Sequence, residues 1–276
     1  MSVHLFRRLI LACAAWAWAW SASAAGAVGA TPGLGVEGTA LVLHQPDGRV
    51  LKGRQLQGRV LSVADGQGIT EVKLLSIKPD PEHAWLLRHE FRVRDEHGHW
   101  SAYCEPDYAG ETWGVPLAIP EGQPGREGPI TLSCSSGAVV KCLRFGYAYW
   151  RRGPHGEDLA PYHAACVHMV RADYCGDGKP ATKAGTMIHI YDKLGIKGAE
   201  SDPEARRHPD FAFEAGWGPQ GAVCAARTRW PDLLTLQQLH ASCPRLAQAA
   251  ACTPRSAADM GALVFNASHR KARIGE

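Results

Sequence analysis

The stretch R-A-D-Y-C-G-D-G at residues 171–178 marks the point where a predicted helix ends and a cysteine-bearing turn begins. Residues 158–174 have the pattern of a helix, with Pro161 in the first turn and Gly176 just past the end. Proline is tolerated in the first turn of a helix, and glycine is favoured just beyond its last turn. The sequence therefore predicts a helix here, followed by a turn that Cys175 can tie to another element.

Two carboxylates of this stretch, Asp173 and Asp177, are candidates for chemistry. The helix dipole disfavours a carboxylate at a C-terminal end, so Asp173 is expected to have a partner such as Arg171, His163 or a metal ion. The spacing of the two aspartates does not match a D-x-D-x-D-G calcium loop, and no metal site is predicted. Asp177 precedes a glycine and suits a turn. A structural network of Asp173 with Arg171 is favoured over an acid–base role. That acid–base role would use His163 or Glu214 as the second group.

Residues 129–266, which surround this stretch, are predicted to form a mixed α/β module. The predicted strands are 130–134, 187–191, 211–217 and 222–230, the last two joined by a turn at 218–221. The other predicted helices are 137–145 capped by Ser135 and Ser136, 233–240 capped by Asp232, and a short helix that starts at Pro244.

Residues 36–128 are predicted to form a β-rich module. Short apolar runs at 39–43, 69–77, 84–94, 100–104 and 115–119 are separated by turns that contain Gly, Asp-Gly or Pro. Such a pattern is typical of a small antiparallel sheet, sandwich or barrel. The predicted fold class is therefore α+β, with an N-terminal antiparallel β module followed by a disulfide-rich mixed α/β module. A C-terminal tail is predicted for residues 267–276.

The first 24 residues are predicted to be a secretory leader. Arg7 and Arg8 precede an uncharged run at 9–20, and an A-x-A site follows at 22–24. The run is shorter than the ~20 apolar residues that a membrane span needs. Cleavage after Ala24 is favoured over lipidation of Cys13, because Cys13 lies too near the charged start to leave a normal apolar region. Residues 25–35 are then a flexible linker, and no transmembrane segment is predicted after leader removal.

Composition excludes several function classes. The chain has 30 Lys+Arg and 27 Asp+Glu, and removing the two leader arginines leaves 28 against 27, a net charge of +1. A nearly neutral protein has no global attraction to nucleic acid, and no nucleic-acid partner is predicted. The 45% hydrophobic and 21% charged residues exclude disorder as the main state. The sequence has no phosphate loop, dinucleotide fingerprint or G-x-S-x-G elbow, and no cofactor is predicted.

The cysteine count agrees with export. One of the nine cysteines lies in the leader, and an even number remains. Four disulfides are favoured over metal binding, because no C-x-x-C pair exists. The predicted disulfide cysteines are Cys104, Cys134, Cys142, Cys166, Cys175, Cys224, Cys243 and Cys252.

Helix geometry restricts the pairing of these cysteines. If the chain is helical from Cys166 to about residue 174, the Cα atoms of Cys166 and Cys175 lie roughly 13 Å apart. A disulfide needs Cα atoms within about 7 Å of each other, so this bond is predicted to be absent. Cys142 is the preferred partner of Cys166, since antiparallel helices can bring the two together. The remaining expectations are a Cys104–Cys134 bond, and a bond from Cys175 to Cys224, Cys243 or Cys252.

Aromatic residues of the second module have two interpretations. Tyrosine and tryptophan faces can stack on sugars, but a small disulfide-rich domain also needs large side chains in its core. Core packing is favoured for the group formed by Tyr147, Tyr149, Trp150, Trp217 and Trp230. The candidate ligand-binding residues are Tyr147, Trp150, Arg171 and Asp177.

The stretch at 171–178 resembles the signature of the ADYC-domain family of exported, poorly characterised bacterial proteins. The resemblance spans roughly residues 36–266 and departs from the family pattern at 148–149 and 182–183. It implies kinship and an exported location, and it implies no reaction. The other similar pieces are Lys141-Cys142, Gly146-Tyr147, Trp150, His163 with Cys166, Phe213–Trp217, Gly221–Cys224, Cys252-Thr253 and Phe265-Asn266.

These observations favour an exported, disulfide-stabilised bacterial protein with a binding or structural role in the periplasm, at the cell surface or outside the cell. An envelope polysaccharide or an envelope protein is the expected partner. The alternative is a secreted hydrolase of envelope polymer, for which the catalytic candidates are His163, Asp173 and Glu214. A thiol oxidoreductase is disfavoured, because the sequence has no C-x-x-C pair.

Overall fold

The computed structural model describes residues 31–65, 68–107, 109–118, 130–198, 210–248 and 251–269. The predicted leader with Cys13, most of the predicted linker and most of the predicted C-terminal tail lie outside these residues. No helix in the described ranges is both long and apolar enough to cross a membrane.

The N-terminal part consists of two antiparallel sheets. The smaller has the order β1-β2-β3, and the larger has the order β4-β5-β6-β8-β9, with β7 paired to β6. A short 3-10 helix, Gly53–Leu56, lies between β3 and β4. The strands are β1 Leu34–Glu37, β2 Ala40–His44, β3 Val50–Lys52, β4 Val60–Asp65, β5 Gly68–Pro79, β6 Leu87–Arg94, β7 Trp100–Ala102, β8 Gly114–Ala118 and β9 Ile130–Cys134.

The longest strand, β5, shows how the core pattern arises. Val72 and Leu74 are buried two residues apart, as the alternation of a strand requires. The register against β6 shifts between Leu74 and Ser76, which adds one residue on this side. Ile77 rather than Ser76 is therefore buried next, and the apolar face continues into the core shared by the two sheets.

The C-terminal part combines a four-stranded antiparallel sheet with helices. The sheet has the order β10-β13-β11-β12. The strands are β10 Ile188–Asp192, β11 Phe211–Gly218, β12 Gly221–Ala225 and β13 Val264–His269. The helices are α1 Ala138–Arg144, α2 Ala160–Arg171, α3 Leu236–Ser242, α4 Pro244–Ala247 and α5 Pro254–Asp259. The predicted α+β class with an N-terminal antiparallel part is confirmed.

The boundaries of three helices differ from the sequence prediction. Helix α2 ends at Arg171, because Ala172 adopts a left-handed conformation with φ 51°. Helix α1 has Gly137 as its N-cap and receives no side-chain cap from the serines before it. Helix α3 starts after Thr235, whose hydroxyl accepts a hydrogen bond from the Gln238 backbone, and not after the aspartate at 232.

The two parts share a core at α1. Val115 and Leu117 of β8 pack in one cluster with Val140 and Leu143 of α1. Strand β9, which follows the predicted boundary at 128, pairs with β8 in the N-terminal sheet. The N-terminal sheet therefore extends into the second predicted segment, while the segment limits themselves stay predictions.

All eight cysteines that follow the predicted leader form disulfides. The bonds Cys104–Cys134 and Cys142–Cys166 have Cα–Cα distances of 5.4 and 5.8 Å, and both were predicted. Cys175 bonds to Cys243, one of its three expected partners, and Cys224 bonds to Cys252. The predicted absence of a Cys166–Cys175 bond is also confirmed.

Candidate functional site

Asp173 organises the turn that follows α2. The residue is only 1% exposed. One carboxylate oxygen accepts hydrogen bonds from the backbone N–H groups of Gly176 and Asp177, at 3.0 and 3.1 Å. The other accepts from the Gly178 N–H at 2.9 Å and from the His168 Nδ1–H at 3.0 Å. The carboxylate is therefore fully occupied by the fold.

Arg171 does not bond to Asp173, although the sequence suggested this pair. Its Nη2 donates to the Gly178 carbonyl at 2.5 Å, so the two side chains hold the same turn from different sides. Gly176 has a φ of +73°, and a Cβ at this position would lie 2.2 Å from the Gln220 carbonyl oxygen. Only glycine fits between the turn and the β11–β12 hairpin.

Arg245 joins this turn to the β11–β12 hairpin, and sequence reasoning missed it. Its Nη2 donates to the carbonyls of Tyr174, Cys175 and Gln220 at 3.0 to 3.2 Å. The residue lies in the first turn of the short helix α4, and no local pattern distinguishes it from other surface arginines. The only signal was the neighbouring Cys243, which bonds to Cys175.

Glu214 is fully buried and pairs with Arg229. The Arg229 Nε and Nη2 donate to its two carboxylate oxygens at 3.1 and 3.0 Å. The Tyr174 hydroxyl donates to Glu214 at 3.0 Å and accepts from the Arg229 backbone N–H at 2.7 Å. Burial raises the pKa of Tyr174, and the Glu214 charge adds to this effect. These bonds leave the carboxylate no free proton-transfer partner in the described part of the chain.

Arg229 also closes the C-terminal end of α2. Its guanidinium donates to the carbonyls of Met169 and Val170 at 2.7 and 3.0 Å. Burial has the largest single effect on Arg229 and lowers its pKa, but the Glu214 charge, the hydrogen bonds to Glu214 and the nearby Tyr174 together raise the pKa above its ordinary value. The arginine therefore supplies hydrogen bonds to carbonyls in the last turn of the helix, where backbone partners run out.

His163 lies in the core of the C-terminal part. Its Nδ1–H donates to the Tyr147 carbonyl at 2.8 Å, and its ring lies edge-on to Tyr149. Burial lowers the pKa of His163 to about 4. The nearby Cys166 is engaged in a disulfide and offers no thiolate. His163, Asp173 and Glu214 thus have separate sets of partners, and none of them lines the cavity beside α1 and the end of α2.

The two aromatic candidates for ligand binding, Tyr147 and Trp150, pack against other side chains of the protein. Tyr147 is fully buried, and its hydroxyl donates to Asp192 at 2.7 Å. Trp150 is half-buried and lies edge-on to Tyr149 and to Trp85. Asp177, in contrast, is on the surface and pairs with a neighbouring lysine. Arg171 alone of the four ligand-binding candidates lines the cavity.

A cavity of about 710 Å³ opens beside α1 and the end of α2. One face of α1 forms its first wall, since positions 138, 141 and 144 are spaced for the same side of a helix. The end of α2 and the segment 180–188 form the other walls. Six cationic side chains line the cavity, and they are Lys141, Arg144, Arg171, Lys183, Lys197 and Arg229. Glu82 is the one carboxylate of the lining.

Three of the six cations have carboxylate partners. Arg144 lies 3.3 Å from the buried Asp80 and 3.4 Å from Glu82. Lys183 lies 2.6 Å from Asp232 and over the ring of a tryptophan. The third is Arg229, which pairs with Glu214 as described. The charges of these three are balanced by the protein itself.

The other three cations, Lys141, Arg171 and Lys197, form no ion pair within the described ranges of the chain. Lys141 is half-buried, and burial lowers the pKa of its ammonium group, against the opposing charge of Asp107. The Lys197 ammonium lies 5.6 Å from the Phe145 ring centroid. Three cations without ion-pair partners around one concave space create a positive potential that favours an anion.

Metal binding has no support in the described residues. No group of three or more histidine, cysteine, aspartate or glutamate side chains there is placed to hold a metal ion. His163, for example, donates its Nδ1–H to the Tyr147 carbonyl.

Comparison with known proteins gives one match. The family model described as the ADYC domain matches residues 53–231, which is more than half of the chain and includes both the turn at 171–178 and the cavity walls. No curated protein and no solved structure matches the chain. The turn that decides the local fold thus lies inside the matched region, and the chain belongs to the ADYC-domain family.

Proposed function

We propose that the protein is an exported binding protein whose ligand is anionic and occupies the cationic cavity. The observation that carries this proposal is the presence of Lys141, Arg171 and Lys197 in one lining, none of them in an ion pair with a carboxylate among the described residues. Uncompensated, partly buried cations are costly unless a ligand supplies the opposite charge. An anionic ligand would offset that cost on binding.

Binding rather than catalysis is supported by the state of the catalytic candidates. Asp173 holds a turn, Glu214 neutralises Arg229, and His163 supports a core carbonyl. A hydrolase would need an acid and a base facing a common space that substrate can enter. No observation in the described part of the chain favours the hydrolase alternative.

Export is supported by the cysteine chemistry. Four disulfides persist in oxidising compartments, and they are rare in the cytosol of most organisms. The predicted leader at residues 1–24 agrees with this location. The periplasm, the cell surface and the extracellular medium all fit, and an anionic envelope component is the partner we propose.

The test is anion binding by the intact protein, with inorganic pyrophosphate and citrate as probes at constant ionic strength. We expect calorimetry to detect binding to the wild type, and the variant Lys141→Gln/Lys197→Gln to bind at least about tenfold more weakly, as for the loss of charged hydrogen bonds. The matched control Arg59→Gln/Lys78→Gln removes the same charge from exposed sites and should bind like the wild type.

Two results would contradict the proposal. One is equal affinity of the wild type and the cavity variant, which would place the anion elsewhere. The other is the absence of binding for every anionic probe. Lys141 and Lys197 are only partly buried, and neither forms an ion pair within the described residues, so the variant is expected to remain folded.

A further inference from the structure

The cavity has an apolar side as well as a cationic one. Phe145 and Ile188 are partly buried and pack with one face against the core of the C-terminal part. Met187 is 52% exposed at the cavity lining, which is unusual for a large apolar side chain. The apolar lining residues are Ala138, Phe145, Val170, Pro180, Ala184, Met187 and Ile188.

Apolar and cationic side chains are neighbours along each wall. On the C-terminal end of α1, Arg144 is followed by Phe145, and at the end of α2 Val170 is followed by Arg171. An occupant of this space therefore meets both kinds of surface at once. A purely ionic ligand would leave Phe145, Met187 and Ile188 facing water, and would gain nothing from their burial.

The volume of the cavity also favours an occupant with both a charged and an apolar part. Cavities of roughly 300–1,000 Å³ hold ligands the size of drug molecules, and this one measures about 710 Å³. A single inorganic anion would fill only a small part of it. A neutral apolar ligand would also fit poorly, because it would remove water from Lys141 and Arg171 without supplying a charge.

We infer that the ligand is a free amphiphilic anion, with a carboxylate or phosphate head on Lys141, Arg171 and Lys197 and an apolar body on Phe145, Met187 and Ile188. This inference rests on the proposed function, since it specifies the ligand of the same cavity. It adds that tight binding requires both the anionic head and the apolar body of the ligand. Lys197 lies close to Phe145, so the head and the start of the body meet at one point of the lining.

The experiment compares three probes by calorimetry on the full protein: octyl phosphate below its micelle concentration, inorganic phosphate and octanol. We expect octyl phosphate to bind at least about tenfold more tightly than either of the others, since burying a few methylene groups already supplies that factor. Equal affinities for octyl phosphate and inorganic phosphate would overturn the amphiphile and leave the anion proposal standing. If neither octyl phosphate nor inorganic phosphate binds, the amphiphile inference and the anion proposal are both overturned.

Two variants separate the head from the body. Met187→Gln should weaken octyl phosphate binding about fivefold and leave inorganic phosphate binding unchanged. Met187 is exposed, so this change should not affect folding, and Met187→Leu is the control that should retain affinity. Lys141→Gln/Lys197→Gln should weaken binding of both phosphates. An unchanged octyl phosphate affinity in Met187→Gln would contradict the inference.

A vesicle assay distinguishes a free amphiphile from the same head group in a membrane. Free octyl phosphate binding together with no sedimentation on phosphatidylglycerol vesicles supports the inference as stated. The wild type could instead sediment with these vesicles while the Lys141→Gln/Lys197→Gln variant does not. That result would assign the anionic head group to a lipid surface, and would overturn the inference of a free ligand. Phosphatidylcholine vesicles serve as the uncharged control.

Discussion

Among single residues, Asp173 illustrates how a locally unfavourable position is stabilised by its surroundings. The dipole of α2 disfavours a carboxylate just past its end. The helix stops at Arg171, however, and the chain turns so that three backbone N–H groups point at the carboxylate. Hydrogen bonds to an ionised group are stronger than neutral ones, and here they outweigh the dipole.

Replacing Asp173 by alanine should therefore destabilise the fold. We expect Asp173→Ala to lower the free energy of unfolding by about 3–5 kcal/mol, as for breaking a buried charged network. Urea denaturation measures the change. Asp177→Ala is the control, because Asp177 is exposed and its loss should cost less than about 1 kcal/mol. Equal stabilities of the Asp173→Ala variant and the wild type would show that the turn holds without this carboxylate.

Among the elements, the pair α1 and α2 determines the shape of the cavity. The Cys142–Cys166 bond joins the two helices, with a Cα–Cα distance of 5.8 Å. Lys141 precedes one of these cysteines in α1, and Arg171 lies at the end of α2. The disulfide therefore fixes the spacing between two of the three uncompensated cations.

Removing this disulfide should affect both stability and binding. We expect Cys142→Ala/Cys166→Ala to lower the free energy of unfolding by about 3 kcal/mol, and to weaken octyl phosphate binding. The control is Cys104→Ala/Cys134→Ala, whose bond closes a loop of similar sequence separation, 30 against 24. This control should lose similar stability and keep its affinity. Equal losses of affinity in the two variants would contradict the role of the helix pair.

In the whole molecule, each part contains a buried histidine that resists protonation. His89 is fully buried in the N-terminal sheet and stacks on Phe91, and His163 is buried in α2. Burial lowers the pKa of each ring to about 4. In the unfolded chain both titrate near 6.5, so between these values the unfolded state binds more protons than the folded state.

The molecule should therefore lose stability in mild acid. The contribution of these histidines is fully present above pH 6.5 and is lost as the pH falls towards 4, by about 3 kcal/mol for each ring. Urea denaturation between pH 7 and pH 4.5 measures this slope. His89→Gln/His163→Gln should flatten the slope, whereas the control His97→Gln/His99→Gln changes exposed rings and should leave it unaltered. A slope that is the same in both variants would disprove the role of the buried rings.

Local patterns in the sequence were sufficient for the fold class and for most elements. Strands such as β2 and β9 and helix α2 were predictable because alternation, turn residues and helix-end residues act over a few neighbours. Two disulfides followed from the same local geometry. Strand β13 was missed because two of its buried side chains, Asn266 and Ser268, are polar. They are buried in a central strand, where the Trp217 indole donates to Asn266.

The candidate site depended on the tertiary structure. Its cations lie at position 141 in α1, at 171 in α2 and at 197 in the loop after β10, and none of them is unusual in its local sequence. Whether a lysine or arginine is paired depends on which carboxylates the fold places beside it, as Asp80 beside Arg144 shows. The same holds for Arg229 and Arg245, whose carbonyl partners are distant in the chain. The sequence by itself determined the fold class and the end of the helix before the turn at 171–178, because these depend on short-range preferences. Only the packed chain decided which charges remain uncompensated, because that is a sum over contacts between distant residues.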